Sequence, residues 1–442
     1  MTFSASAYQN EYLPEGATEV HAVVTVTSEG GVAPASASGT ERAVVLIVDS
    51  SGSMNQPSSK IRAAREALAV AISELPDGTW FAVIAGSDLA TPAYPPVPPG
   101  GVPQLVEASD RTRSEATSVA RFLVAQGGTA ISTWLDLALV FFASRPNAIK
   151  LAYLLTDGQN QHESPETLAA ALARCSGVFQ CDARGVGADW RVAELRQITS
   201  ALLGEVDIIK SPDEMDEDFH AFLERAMGKT VADVRLRLWA PQGATVQFVR
   251  QVAPTIEDLT DRATAVSPLI GDFPTGAWAG DESRDYHVCV KVAPGAVGEE
   301  RLAARVSLMV GDLAVSQALV RAIWTNDEAQ SARIDPAVAH YTGQAELAAA
   351  IREGLDARTS GDDRTATIKL GRAVQLANAS GNDGTVRLLQ KVVDVEDPAT
   401  GTVRLKRDVE ALDEMALDTR STRTVRVTKA ANPAPPAPGA GA

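Results

Sequence analysis

Asp49, Ser51 and Ser53 stand at alternate positions directly after the apolar run at 43–48. Side chains two residues apart can aim their oxygens the same way, and Gly52 lets the backbone between them bend tightly. Two further oxygens have a similar setting. Asp157 follows the apolar run at 151–155 and has Gly158 behind it, and Thr129 follows Gly127 and Gly128. Two carboxylates and three hydroxyls form a hard oxygen set, which selects Mg2+, Mn2+ or Ca2+ over softer metals. A calcium cage normally carries more carboxylates. Three neutral donors suit a small octahedral ion that keeps some of its water, so Mg2+ is expected, with Mn2+ or Ca2+ as alternatives. An ion held this way stays electron-poor, and an Asp or Glu of a partner protein could fill an open position.

Such a constellation needs strands that end together. From Arg42 to about Gly228 the chain alternates apolar strand and amphipathic helix. Helix 58–75 places Ile61, Ala64, Leu68, Ile72 and Leu75 on one face. The Pro-rich stretch LATPAYPPVPPGGVP at 89–103 fits only an edge strand and a loop, and SEATSVARFLVAQ at 114–126 reads as a helix. Strand and helix in alternation predict an α/β fold with a parallel sheet, whose ligands bind outside the carboxyl ends of the strands. Residues 229–326 change to short alternating strands split by Gly, Pro and Asp, a β-sandwich pattern. The alternating run EVHAVVTVTSE within residues 1–40 needs neighbours. It is expected to join that sandwich through Ala22, Val24 and Val26, so that the α/β domain, residues 41–228, is inserted between sandwich strands. Residues 335–423 read as a helical C-terminal region, and 430–442 as a disordered Pro/Ala tail.

Asp49-Ser50-Ser51-Gly52-Ser53, Thr129 in Gly-Gly-Thr and Asp157 in Thr-Asp-Gly together resemble the von Willebrand factor A (VWA) domain and its metal-ion-dependent adhesion site. The resemblance spans about residues 42–228. It implies a Rossmann-like domain that holds Mg2+ at its top face and recognises proteins, often through a partner Asp or Glu that completes the coordination. The flanking sandwich is similar to that of bacterial VWA proteins embedded in β-structure. The start of the chain makes it resemble cytosolic VWA proteins of tellurite-resistance and stress systems, which operate beside kinases and phosphatases. An assembly or regulatory subunit is therefore expected, with a kinase, phosphatase or AAA+ ATPase as partner.

Composition narrows the alternatives. A net charge of −16 argues against nucleic acid and anionic membranes as partners. MTFSASAYQNEYLPEG has no basic or apolar region of a signal peptide, and no run is long enough to span a membrane. Cys175, Cys181 and Cys289 read as buried free thiols of a cytoplasmic protein. An enzyme would use Asp49 as phosphoacceptor. A dehalogenase-type phosphatase needs an acid two residues later, where Ser51 stands. A receiver domain needs an upstream acidic pair, which is missing, and a late lysine, for which Lys210 is the candidate. None of His21, His162, His220, His287 and His340 has a protease setting, and no phosphate-binding glycine motif occurs. His162 reads as a solvated loop residue. The acidic PDEMDEDF reads as a helix start, and the basic RSTRTVRVTK as an exposed or edge strand. A non-enzymatic recognition protein is expected. A metal-dependent hydrolase or phosphotransfer protein and a scaffold with a vestigial metal site are the alternatives.

Overall fold

The computed structural model describes residues 1–30 and 41–426. The small-residue linker at 31–40, the last residues of RSTRTVRVTK and the Pro/Ala tail lie outside the described residues. A seven-stranded sheet forms the centre of the α/β domain. Its order is Val206–Ile209, Gln180–Val186, Ile149–Thr156, Arg42–Asp49, Trp80–Gly86 and Thr91–Tyr94, with Val106–Glu107 also pairing on Trp80–Gly86. The first five run parallel, and Thr91–Tyr94 is the antiparallel edge. Strand Arg42–Asp49 is buried throughout. Val44, Leu46 and Val48 face the helices Ser59–Glu74 and Met215–Gly228 on one side, and Ala43, Val45 and Ile47 face Ile131–Ala143 on the other. Two apolar faces on a period of two give the continuous apolar run seen in the sequence. The chain steps from Arg42–Asp49 to Trp80–Gly86 on one side and later to Ile149–Thr156 on the other. The order reverses between Arg42–Asp49 and Ile149–Thr156, which opens a crevice beyond their carboxyl ends.

The helix expected at 114–126 is Asp110–Ala120 instead. A capping box between Ser109 and Thr112 starts it early. Phe122 and Val124, within the expected helix, lie beyond the end of the observed one and are largely exposed.

Two sheets make the sandwich. One contains Thr2–Tyr8, Glu19–Glu29, Ser283–Lys291, Thr245–Ala253 and Glu257–Asp258. The other contains Thr264–Ser267, Ile270–Ala279, Lys229–Trp239, Glu300–Val310, Leu313–Thr325 and Tyr12–Pro14. Val24, Val26 and Tyr286 pack against Leu236, Leu308 and Trp324 between them. The α/β domain leaves the sandwich after Glu29 and re-enters it at Lys229, where the Arg42 guanidinium donates to the Lys229 carbonyl at 3.0 Å. Among the described residues, 1–30 hold three strands and not one. Thr2–Tyr8 escapes a periodicity reading because its inward positions include only Ala5 and Ala7 beside Phe3.

The C-terminal region contains helices Pro336–Thr359, Asp363–Ala379, Asp383–Val392 and Ala411–Arg420. A hairpin of Val393–Asp397 with Thr402–Leu405 interrupts them, which corrects the purely helical expectation. Beyond the last helix the chain stitches the three parts together. Asp207 of the parallel sheet accepts from Arg420 at 2.8 Å and from Arg423 at 2.6 Å. Burial alone would raise its carboxyl, but the two guanidiniums override it and hold it below the usual range. Arg426 reaches Asp285 of the sandwich at 2.7 Å. The described part of RSTRTVRVTK makes one isolated bridge, Thr255 to Arg423, and no strand. No helix among the described residues is long and apolar enough to cross a membrane. The three cysteines are free and buried, and burial pushes the Cys175 thiol up to about 12.

Candidate functional site

The crevice at the strand ends collects the predicted oxygens. Asp49 is fully buried. Its Oδ1 accepts from the Ser51 N–H at 2.7 Å, and its Oδ2 accepts from the Thr156 hydroxyl at 2.5 Å. The Ser51 and Ser53 hydroxyls lie 2.9 Å apart. Ser53 donates to Asp157 Oδ1 at 2.6 Å. Thr129 joins them from the other side: a Cβ on Gly158 would sit 3.3 Å from the Ser53 oxygen and 3.4 Å from the Thr129 oxygen. All five side chains therefore meet at the switch point of the sheet, where both carboxylates are fully buried.

Backbone bonds hold the loops to one another. The Gly52 N–H donates to Gly127 O at 3.0 Å and the Gln126 N–H to Ser50 O at 2.7 Å. His162, read from sequence as a solvated residue, is exposed but has a task. Its Nδ1 accepts from the Thr129 N–H at 3.1 Å, and its own N–H donates to Thr129 O at 3.1 Å. The ring lies against Gly128, where a Cβ would come within 2.2 Å of it. Asn160 and Glu163 accept from the Ile131 and Ser132 N–H groups, each at 3.0 Å, and so cap the helix that follows Thr129. The segment after Asp157 thus positions the loop that carries Thr129.

Lys60 is the larger omission of the sequence reading. It is 6% exposed, and its ammonium donates to Asp157 Oδ2 at 2.7 Å and approaches Asp189 at 3.4 Å. In sequence it is one more polar position near a helix start, and nothing in the periodicity marks it.

Burial raises the Asp49 carboxyl from 3.8 to about 6, against the bonds from Ser51 and Thr156, and the neighbouring Asp157 charge adds to the rise. An acid whose folded value is raised keeps its proton longer in the native state than in the unfolded chain. Stability from this group therefore falls as pH rises between about 4 and 6, by on the order of 3 kcal/mol. A cation beside Asp49 offsets that loss and displaces the proton. If the crevice takes Mg2+, titration in two buffers of different ionisation enthalpy is expected to show more proton release per ion at pH 6 than at pH 8. Equal heats in both buffers at pH 6 would contradict the assignment.

Among the described residues no cluster of three or more His, Cys, Asp and Glu side chains is arranged for a metal. The crevice offers two carboxylates and three hydroxyls instead. That donor set fits a hard divalent cation that keeps part of its water, and it is poor for zinc or copper.

Residues 42–208 match the family model of the von Willebrand factor type A domain, and residues 375–421 match that of the von Willebrand factor type A C-terminal domain. A solved structure of von Willebrand factor type A from Catenulispora acidiphila is 48% identical, with a TM-score of 0.90, over 96% of this chain and 97% of that one. The ArnB paralog VWA2 from Sulfolobus acidocaldarius, 15% identical with a TM-score of 0.58 over 96% of this chain and 98% of its own, shares the fold. No match is found among curated proteins. At 48% identity over 96% of its length, the chain belongs to the von Willebrand factor type A family.

Proposed function

We propose that Asp49, Ser51, Ser53, Thr129 and Asp157 form a metal-ion-dependent adhesion site for Mg2+, with Mn2+ or Ca2+ as substitutes. Through it the protein recognises an Asp or Glu of a partner protein, as an assembly or regulatory subunit. The observation that carries this reading is the meeting of the Ser51, Ser53 and Thr129 hydroxyls with two buried carboxylates at the sheet's switch point. VWA domains in general are modules of protein interaction, commonly metal-dependent. A bound divalent ion supplies a Lewis-acid position for the partner's carboxylate. The chain's part is to hold the hydroxyls in register and to shield the buried carboxylates from water. A cytoplasmic place, a stress or signalling setting, and a kinase, phosphatase or AAA+ ATPase as partner are proposed on the resemblance alone.

Geometry weighs against phosphotransfer. Asp49 is fully buried with both oxygens engaged, so a phosphoryl donor has no line to it. Lys210 is bound to Asp413 at 2.6 Å, away from the crevice. One observation favours the scaffold reading: Lys60 already neutralises Asp157, so the crevice is partly satisfied without an ion. Capture of binding proteins with Mg2+ and with chelator separates the two. Partners are expected to be retained with Mg2+ and released by chelator. Thr129→Ala should weaken the same partners about tenfold at unchanged melting temperature. Capture that ignores the chelator would support the scaffold.

A further inference from the structure

Lys60 is the second residue of the helix Ser59–Glu74, where a positive charge opposes the helix dipole. The helix therefore does not account for a cation at this position. Burial does not favour it either, since an ammonium taken out of water is costly unless it is paired. What holds it is Asp157. Ser53 occupies one carboxylate oxygen and Lys60 the other. The second acid near Lys60, Asp189, has a side chain that is 75% exposed and is well solvated. Glu163 is committed to the N–H groups at the start of Ile131–Ala143, and Glu194 to the Asn160 N–H.

The buried charges of the crevice are then Asp49, Asp157 and Lys60, a sum of one negative charge when all are ionised. A divalent cation turns this into one uncompensated positive charge in a place with little water. One carboxylate from outside restores neutrality. Without Lys60 the two aspartates alone would neutralise the ion, and an incoming carboxylate would leave a surplus negative charge.

Resting on the metal-site reading above, we propose that Lys60 couples the two ligands of this crevice: it weakens the hold on a divalent ion alone and strengthens the hold on an ion and an acidic side chain together. Linkage makes the effect reciprocal, so an acidic partner tightens the metal by the same factor as the metal tightens the partner. The site would fill when the partner arrives, and would stay largely empty at low free metal without it.

The test uses the full chain, Mn2+ as the metal and acetate as the carboxylate. Free Mn2+ is read by electron paramagnetic resonance and corrected for the Mn2+–acetate complex in buffer. For the wild type, saturating acetate is expected to tighten Mn2+ at least about fivefold. Lys60→Met should bind Mn2+ without acetate about tenfold more tightly than the wild type and lose most of the response to acetate. Lys60→Gln should do the same and serves if the methionine variant folds poorly; the wild-type acetate series needs no variant. The proposal is overturned if acetate leaves the wild-type affinity unchanged. It is also overturned if both Lys60 variants bind Mn2+ no more tightly while melting at lower temperature, which is the result of a purely structural ion pair. Asp49→Asn distinguishes the two levels. If it abolishes Mn2+ binding, the metal site stands and the Lys60 results judge the coupling alone. If it binds Mn2+ like the wild type, the metal site falls and the coupling with it.

Discussion

Asp49→Asn is expected to lower divalent-metal affinity by about 100-fold or more and, in the same protein, to raise the melting temperature measured in chelator at pH 7. The two effects share one cause. Asp49 is fully buried, and burial holds its carboxyl up to about 6, so at neutral pH the metal-free fold keeps an ionised group where water cannot reach it. Asparagine has the same shape. Its oxygen can still accept from the Ser51 N–H, and its amide can donate to the Thr156 hydroxyl, which has the Gly158 carbonyl within 3.4 Å as its own acceptor. The local bonds survive, the desolvated charge disappears, and so does the main attraction for a cation. Calorimetry with Mg2+ and thermal melts in chelator measure the two parts. A variant that binds Mg2+ normally, or one that melts well below the wild type in chelator, would show that Asp49 does not have the role described.

The second large effect is expected away from the ligands. Gly86 ends the strand beside Asp49, and a Cβ there would come within 2.5 Å of the Trp134 ring. Trp134 is fully buried, and its indole N–H is tied to Ser87 O at 2.7 Å, so the ring has nowhere to go. Gly86→Ala should therefore destabilise the protein by about 1–3 kcal/mol through overpacking. It should also disturb the site. Ser50 rests on the Gly86 carbonyl through its N–H at 2.6 Å and its hydroxyl at 2.9 Å, and the Ala130 N–H rests on Ser87 O at 3.1 Å. Both loops that carry the hydroxyls hang on this strand end, and a loss of metal affinity of about tenfold is expected alongside the lower melting temperature. Gly343→Ala, in the helix Pro336–Thr359 with open space around it, is the control. It should be neutral or stabilising by up to about 1 kcal/mol. Equal effects of the two substitutions would refute the packing argument.

The parts of the site that the sequence made legible are those tied to strand ends. Arg42–Asp49 and Ile149–Thr156 are buried on both faces, so their apolar runs stand out, and so do the aspartates at their ends, Asp49 closing the first and Asp157 just after the second. Lys60 and His162 were not legible, because their importance lies in what they touch across the fold. Lys60 sits on an amphipathic helix whose apolar stripe accounts for the pattern without it, and His162 is exposed. Thr156 was hidden in another way, since a threonine closing a strand is ordinary until its hydroxyl is found on Asp49. In the fold, the hairpin at 393–405 went unseen because its first strand follows Asp383–Val392 without a break and its apolar residues extend the helical pattern. The helix expected to run to 126 stops at Ala120, and the apolar Phe122 and Val124 beyond it are exposed.

The insertion of one domain into another has a consequence for synthesis. Strand Glu19–Glu29 pairs along its length with Ser283–Lys291, about 250 residues later. A ribosome adding 5–20 residues per second leaves that strand waiting for roughly 13 to 50 s. Thr2–Tyr8 can pair with it at once, but the apolar face of Val20, Ala22, Val24 and Val26 stays bare until the second half of the sandwich emerges. The α/β domain can complete itself in the meantime, which sets Arg42, at the start of its central strand, against Lys229, where the second half of the sandwich begins. Closing the sandwich then costs the entropy of a short loop and not of a long one. The inserted domain acts as a clamp for its host as well as the carrier of the site, and damage to its core should appear first as nascent chains that aggregate through their N-terminal strands.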